Sequence, residues 1–464
     1  MNIWRRGTQS WRALDPAWKF ALGAFLVARG ALSAWALLLA GLFPVLVQNL
    51  DLFGAPTLAV FDVATGARYA YAREVDGVRL TFRAGEPGIV LDDQTGSAWS
   101  LREARAVSGK FAGRTLPASF YPVEDIFPYR GIVPETNVLA SVWQRFDTNW
   151  YLKIAQRGYG DDAASAVYFP LYPLLVHLAG GSLFAALAIS NLALIGALAL
   201  LYQFAARWFD AASARRAVAY WLLFPTGFFL LAAYTESLFL FLALAAFECA
   251  RRDKWMGAAV CGALAALTRL QGVLLVVPLA YLCLQQLRNT QHAIGTTHYV
   301  LRITYYVLRS ASLLLLPLAT AAFLAFTNLA LVSSYVGELH ARFVLPWENF
   351  AAAIGLLASG RASFVDGLNL AVAVLFGGLL IAIWKKLPLE YVLFAGAMYL
   401  APLFRMTTTQ PLVSMDRYAL AILPAFILLG KWGKNSWINR AVVYLGFPLQ
   451  LYLSAQFVLW GWVG

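Results

Sequence analysis

Asp147 is the residue of this chain best suited to act as a base. It stands in Arg145-Phe146-Asp147-Thr148-Asn149-Trp150-Tyr151 and, at helical spacing, shares a face with Trp143, Trp150, Tyr151 and Ile154. A carboxylate set against aromatic rings at a membrane surface is costly unless it has a partner or a task. A hydroxyl nucleophile has a very high pKa and needs a base within hydrogen-bond reach, a role open to a carboxylate. The same residue could instead be the N-cap of a helix starting at Thr148. Glu236, in Tyr234-Thr235-Glu236-Ser237, is the second acidic candidate. It sits where two apolar runs meet, so its charge must face a cavity or a partner. It could position an acceptor, orient an arginine, or mark a plain turn between helices. Arg269 interrupts the apolar stretch from Trp255 to Leu287. A guanidinium there suits a phosphate, whose oxygens match its planar fork, or a structural pair with Glu236. Arg405 and Arg417 flank the last polar loop and could share the phosphate role, with Asp416 orienting Arg417. His177 lies on an apolar stretch, where a histidine is more often a satisfied structural residue than a catalyst.

The elements that must carry these residues follow from bulk polarity. Of 464 residues, 61% are hydrophobic and 13% charged, against roughly 45–50% and about 25% in soluble proteins. No water-soluble interior could hide that much apolar surface, so lipid must solvate much of it. A span takes about 20 apolar residues. About eleven such runs are expected, near 20–48, 182–206, 217–233, 235–250, 256–268, 272–287, 310–331, 367–384, 389–404, 419–431 and 441–461. Cys249, Cys261 and Cys283 all lie in apolar runs, and none reads as a disulfide partner or a zinc ligand.

Charge placement sets the topology. The start, Met1 to Lys19, is basic and aromatic, and the apolar run after it is too long for a signal-peptide core, so a retained first span with a cytoplasmic N-terminus is expected. The loops that should then be cytoplasmic hold Arg207, Arg215 and Arg216; Arg251, Arg252 and Lys254; Arg288, Arg302 and Arg309; Lys385 and Lys386; and Lys431, Lys434 and Arg440. That is the positive-inside bias, and it accounts for the net charge of +12 without nucleic acid. His292 and His298 fall on that side. The other face collects Asp51 to Ala166, the turns at Tyr234–Glu236 and Thr268–Gln271, a loop around 332–366 that includes His340, and Arg405–Tyr418.

Within the long outer segment the period drops to two between about Pro56 and Pro117. Thr57 to Phe61, Arg68 to Arg73 and Val78 to Phe82 read as strands, and Asp76-Gly77 is a two-residue hairpin turn. The region is a small β-rich insertion in a mainly α, polytopic membrane protein. Asn137 to Tyr159 reads as one interfacial helix, with apolar and aromatic residues at helical spacing. Four parts are expected: 1–50, the N-terminus and first span; 51–135, the β-rich insertion; 136–180, a first-loop segment with its interfacial helix; and 181–464, the multi-helix bundle.

Two resemblances add to this. Gly77 to Phe82, Thr95-Gly96-Ser97-Ala98-Trp99 and Ser108 to Arg114 resemble part of the bacterial domain of unknown function 3179, which implies no chemistry. Arg145 to Tyr159, followed by Tyr168-Phe169-Pro170-Leu171-Tyr172-Pro173-Leu174, resembles the first external loop of PIG-V-type mannosyltransferases. The likeness continues through Ala233 to Phe239, Leu267 to Gly272 and Ser414 to Tyr418, and covers most of the chain outside the β-rich part. It implies a GT-C fold and an early acidic catalytic residue matching Asp147, and it strengthens the case for Arg417. Trp150, Tyr151, Tyr172, Gln271 and His177 are expected as substrate contacts, beside Glu236 and the phosphate-binding Arg269, Arg417 and Arg405. The inserted β-rich segment departs from the plain PIG-V pattern.

The resulting expectation is a multi-pass enzyme of the cell membrane. It transfers a sugar, mannose by resemblance, from a polyprenyl-phosphate donor to a glycolipid or glycan on the extracytoplasmic face, as in GPI-anchor-like biosynthesis. No cofactor is required by that scheme, and the partners are membrane lipid, the lipid-linked donor and the acceptor. The alternative from another class is a transporter or flippase for a lipid-linked or anionic substrate, for which inverted repeats would be expected and none is evident.

Overall fold

The computed structural model describes residues 15–52, 54–63, 65–160, 163–291, 307–327, 342–407 and 410–463. Most of the N-terminal basic segment, the loop carrying His292, His298 and Arg302, and His340 lie outside the described residues. The chain forms two compact units: Leu32–Lys153 with Ala455–Gly461, and the remainder.

Among the described residues of the mainly helical unit, five helical stretches are long and apolar enough to cross a membrane: Pro16–Leu42 (α1, which ends within the other unit), Leu183–Trp208 (α4), Val307–Phe326, Phe364–Trp384 (α11) and Ser436–Val458 (α14, whose end lies in the other unit). Many of their side chains are exposed and apolar, Val27, Leu192 and Ile381 among them, as lipid-facing positions must be. The protein is an integral membrane protein. Between the long helices run Asp147–Arg157 (α2, whose start lies in the other unit), Leu171–Leu178 (α3), Ala211–Leu222 (α5), Glu236–Arg251 (α6), Trp255–Ala266 (α7), Val276–Gln291 (α8), Pro346–Ala358 (α10), Leu389–Leu403 (α12) and Leu423–Trp432 (α13), while Leu315–Phe326 (α9) is the second part of the Val307–Phe326 stretch. Their starts are chemically marked: Ser182 caps α4, Asp210 caps α5, and Ser363 with Asp366 forms a capping box on α11. Small residues allow close packing. A Cβ on Gly430 of α13 would come within 2.5 Å of the Ser213 carbonyl oxygen on α5.

Most expected spans coincide with helices, and the exceptions have local causes. The first helix stops at Leu42, and Val45–Leu52, of which only Val45–Val47 continue the apolar run, is strand β1. The run 217–233 is broken: α5 ends at Leu222 and the chain continues as a 3-10 turn over Gly227–Leu230. The helix expected over Asn137–Tyr159 is two pieces, Val138–Ser141 and α2, separated by a turn in which Phe146 has φ +47°.

The second unit is β-rich. Strands β1, β2 (Ala55–Asp62) and β3 (Arg68–Ala72) form an antiparallel sheet. A two-strand hairpin, β4 (Glu74–Val75) and β5 (Val78–Arg79), turns on Asp76 and Gly77, both at positive φ. Strands β6 (Phe82–Ala84), β7 (Ile89–Asp92), β8 (Ala98–Ser100) and β9 (Arg105–Ser108) make a four-stranded antiparallel sheet. Strand alternation divides β2 between two cores. Leu58 and Val60 join Phe82, Val90 and Trp99, while Ala59 and Phe61 join Phe127, Tyr129 and Trp460.

Asp92 and its neighbours explain part of the motif at Thr95 to Trp99. The carboxylate accepts from Trp99 Nε1 at 2.9 Å, Thr95 N at 2.6 Å and Thr95 Oγ1 at 2.8 Å. Burial alone would raise its pKa, but the bonds from Trp99, Thr95 and Ser97 together outweigh burial and hold it below the ordinary value. Gly109, at φ +87°, is pressed against Ser97, where a Cβ would lie 2.6 Å from Cα.

Candidate functional site

Three charged side chains from distant parts of the helical unit meet at one oxygen. Glu236 opens α6. Arg269 follows the end of α7, where the chain leaves the helix and enters a 3-10 turn over Leu270–Leu275. Arg417 belongs to the helical turn Met415–Tyr418. Glu236 Oε1 accepts from Arg269 Nη1 at 2.6 Å and from Arg417 Nε at 2.5 Å. Its Oε2 is buried without a hydrogen-bond partner among the described residues. The cluster carries one net positive charge in a mostly apolar setting.

Each guanidinium is also held by aromatic rings. That of Arg417 lies 4.7 Å from the ring centres of both Phe229 and Tyr234, and that of Arg269 lies 5.7 Å from that of Tyr418. Arg269 Nη1 further reaches Thr235 Oγ1 at 3.3 Å. Cation–π contacts of this kind fix the plane of the guanidinium group.

The backbone around the cluster is constrained. Gly272 packs so closely on α7 that a Cβ would lie 2.4 Å from the Ala265 carbonyl, and its N–H bonds to the Arg269 carbonyl at 2.8 Å. Leu412 and Ser414 both take positive φ before the Arg417 turn. Asp416 N donates to Asn369 Oδ1 at 2.9 Å, and Thr226 Oγ1 donates to the Asp416 carbonyl at 2.8 Å. Asp416 does sit beside Arg417, its Oδ1 accepting the Arg417 backbone N–H at 2.8 Å.

A pocket of about 340 Å³, counting its open mouth, borders the cluster. Its lining combines Glu236, Arg269, Gln271, Arg417 and Tyr418 with the apolar Phe239, Leu240, Met398, Leu420 and Ala421. Cationic donors beside an apolar wall suit a ligand with an anionic head and a hydrocarbon tail.

The other sequence candidates fall elsewhere. Arg405 is exposed in the short strand Arg405–Met406 (β11), which pairs with Arg342–Phe343 (β10), and is absent from the pocket wall. Tyr172 is fully buried, its hydroxyl within 2.8 Å of the Ala186 carbonyl and Ser190 Oγ. His177 is exposed, with Nδ1 2.7 Å from the Ala155 carbonyl oxygen.

Asp147 belongs to the β-rich unit. It is the first residue of α2 rather than the cap of a helix starting one residue later. It is part-exposed in a run where Arg145, Thr148, Asn149, Trp150 and Tyr151 are buried. Arg130 and Lys153 both lie over the Trp150 ring, at 4.8 and 5.0 Å.

Sequence reading gave no role to Asn349 or Asn369. Asn349, fully buried, donates to the Leu403 and Arg405 carbonyls and accepts from Leu412 N, pinning both ends of the Arg405–Ser414 loop. The signal was a lone amide on each of two apolar helices, α10 and α11.

No protein-family model matches the chain, and no curated protein matches it. Among solved structures, ArnT from Cupriavidus metallidurans bound to undecaprenyl phosphate is similar at 15% identity and a TM-score of 0.37, over 67% of this chain and 71% of that one. A superposition that loose carries no argument for either fold or function.

Proposed function

We propose that this protein is an inverting glycosyltransferase that moves a sugar, mannose in this reading, from a polyprenyl-phosphate donor to a glycolipid or glycan on the extracytoplasmic side of the membrane. The observation that carries the reading is the convergence of Arg269 and Arg417 on Glu236 at the edge of a part-apolar pocket. The motif resemblance to PIG-V-type enzymes supports it independently and is the basis for the sugar and the inversion, while the sidedness rests on the placement of Lys and Arg in the loops.

In this scheme the acceptor oxygen attacks the anomeric carbon as the bond from that carbon to the phosphate oxygen breaks. The bonding pair leaves with the lipid phosphate. Arg269 and Arg417 stabilise the charge that develops there, the largest lever open to a preorganised site. Glu236 holds the two guanidinium groups in place. Asp147 takes the proton from the acceptor hydroxyl. Gln271, Trp150 and Tyr151 are proposed substrate contacts.

The test is transfer of label from radiolabelled polyprenyl-phosphate mannose to membrane lipid extract by the purified protein. Wild type is expected to transfer label, and Asp147→Asn to lose about 10²–10⁴-fold, the usual contribution of a general base. Transfer unchanged in Asp147→Asn would remove Asp147 as base. Donor translocation without product would favour a transporter.

A further inference from the structure

The turn that presents Asp147 is built from the chain's last residues and strand β2. Phe146, immediately before it, has φ +47°, a region L side chains with bulk rarely adopt. Backbone of this kind persists only where its surroundings over-determine it. Here the Phe146 ring packs on Phe457 and Trp460, with ring centres 5.9 and 5.5 Å away.

Arg145 completes the arrangement. It is 1% exposed, and its guanidinium lies 4.8 Å from the centre of the Trp460 ring and 5.4 Å from that of Phe61 on β2. Its Nε donates to the Val458 carbonyl at 2.9 Å, and its Nη1 to the Ser141 carbonyl at 2.7 Å. Val458 is the last residue of α14, where carbonyls lack partners within the helix and the helix dipole favours a cation. Beyond the turn, Thr148 N donates to the Arg145 carbonyl and Asn149 Nδ2 to the Pro128 carbonyl. Asp147 therefore sits on a backbone fixed from both sides.

We propose that Arg145, Phe146 and Trp460 are positioning residues, through which the β-rich unit and the end of α14 fix the peptide that carries Asp147. This rests on the reading of Asp147 as base. It gives the β-rich segment a task in the reaction: holding the base still, where a displacement of about 1 Å can cost 10²-fold in rate.

The experiment uses the full chain in detergent and the variants Trp460→Ala, Trp460→Phe and Arg145→Gln. Hydrogen exchange is followed on peptides covering Arg145–Leu152 and, as a folding control, β7–β8. Label transfer from polyprenyl-phosphate mannose is measured in parallel. Expected are faster exchange at Arg145–Leu152 with β7–β8 unchanged, a roughly 100-fold fall in kcat with donor KM little altered, and recovery of both in Trp460→Phe. Unchanged exchange at Arg145–Leu152 in both Trp460→Ala and Arg145→Gln overturns the proposal, whatever the activity. So does faster exchange with kcat intact. If wild type transfers no label, the glycosyltransferase reading falls and Asp147 has no base role to be positioned for, so the proposal falls with it. Loss of transfer in Asp147→Asn, with kcat intact in Trp460→Ala and Arg145→Gln, sinks the positioning role alone.

Discussion

Arg417 donates from Nε to Glu236 Oε1 at 2.5 Å, across 181 residues of chain. The same oxygen receives Arg269, so one carboxylate oxygen sets the separation of two guanidinium groups. An anionic ligand entering the pocket must compete with Glu236 for those donors. Glu236 is in effect a resident anion that keeps the two cations together when no ligand is bound.

Glu236→Gln should therefore bind a phosphate-bearing lipid more tightly and turn over more slowly. The amide oxygen still accepts both hydrogen bonds, but it no longer competes as a charge. An affinity gain of about tenfold is expected, the worth of one charge-assisted hydrogen bond. It is measured as the Kd for a short-chain polyprenyl phosphate in detergent. Glu236→Ala should instead lose about 3–5 kcal/mol of stability, because it removes the buried anion that two largely buried cations share. Thermal unfolding in detergent checks it, and a wild-type Tm in the Ala variant would contradict the role.

Arg417→Lys and Arg269→Lys should differ in severity. The Arg417 guanidinium lies 4.7 Å from the ring centres of Phe229 and Tyr234, and that of Arg269 lies farther, 5.7 Å, from that of Tyr418. Lysine keeps the charge and loses the fork and the stacking. Transfer should fall about 10²-fold or more in Arg417→Lys and less in Arg269→Lys, read as kcat/KM for the labelled donor. Near-wild-type transfer in both variants would mean that charge alone matters at these positions, and equal losses would show that ring contact does not set the severity.

Gly272→Ala tests whether the Arg269 backbone must stay where it is. The new Cβ would meet backbone atoms of Ala265 and Ala266 at 2.4 Å, and backbone cannot move aside as a side-chain tip can. A loss of about 1–3 kcal/mol is expected, as for other overpacked sites, together with weakened phosphate binding. Gly355→Ala on α10 is the control. Its Cβ would meet nothing within 4 Å, so the helix should gain about 0.5–1 kcal/mol. Thermal unfolding of the two variants side by side gives the contrast.

These residues also mark what the sequence could reveal. Glu236, Arg269 and Arg417 were visible one by one, because a charge in an apolar run stands out. The pairing of Arg269 with Glu236 was one of the readings open from the sequence, but that Arg417 shares the same oxygen was not, since no local pattern encodes a contact spanning 181 residues. Asp76-Gly77 announced its hairpin because the turn needs two positive φ values, which those residue types tolerate. Val45–Val47 carried no such signal: their hydropathy continues that of α1, and only pairing with β2 places them in a strand. The break at Phe146 was illegible for a related reason. Phenylalanine has no intrinsic preference for positive φ, and the aromatic residues that pack against it, Phe457 and Trp460, lie at the other end of the chain.

Acid should loosen the β-rich unit through Asp92. Its carboxylate is fully buried and its folded-state pKa lies below the ordinary value of 3.8. A depressed carboxylate contributes stability that is complete well above the unfolded-state pKa and is lost as pH falls through the folded-state one. The contribution is thus present at pH 6 and fades below about pH 3.8. Asp92→Asn should cost about 2 kcal/mol near neutral pH, since it replaces charge-assisted hydrogen bonds to Thr95 and Trp99 with neutral ones. It should also flatten the acid dependence, because nothing is left there to titrate. Hydrogen exchange of the β7–β8 peptide between pH 6 and 3, corrected for the intrinsic exchange rate, distinguishes the two proteins. Wild type should lose protection as pH falls below about 3.8, while the Asn variant starts less protected and changes little. Parallel curves would show that some other group governs the acid response.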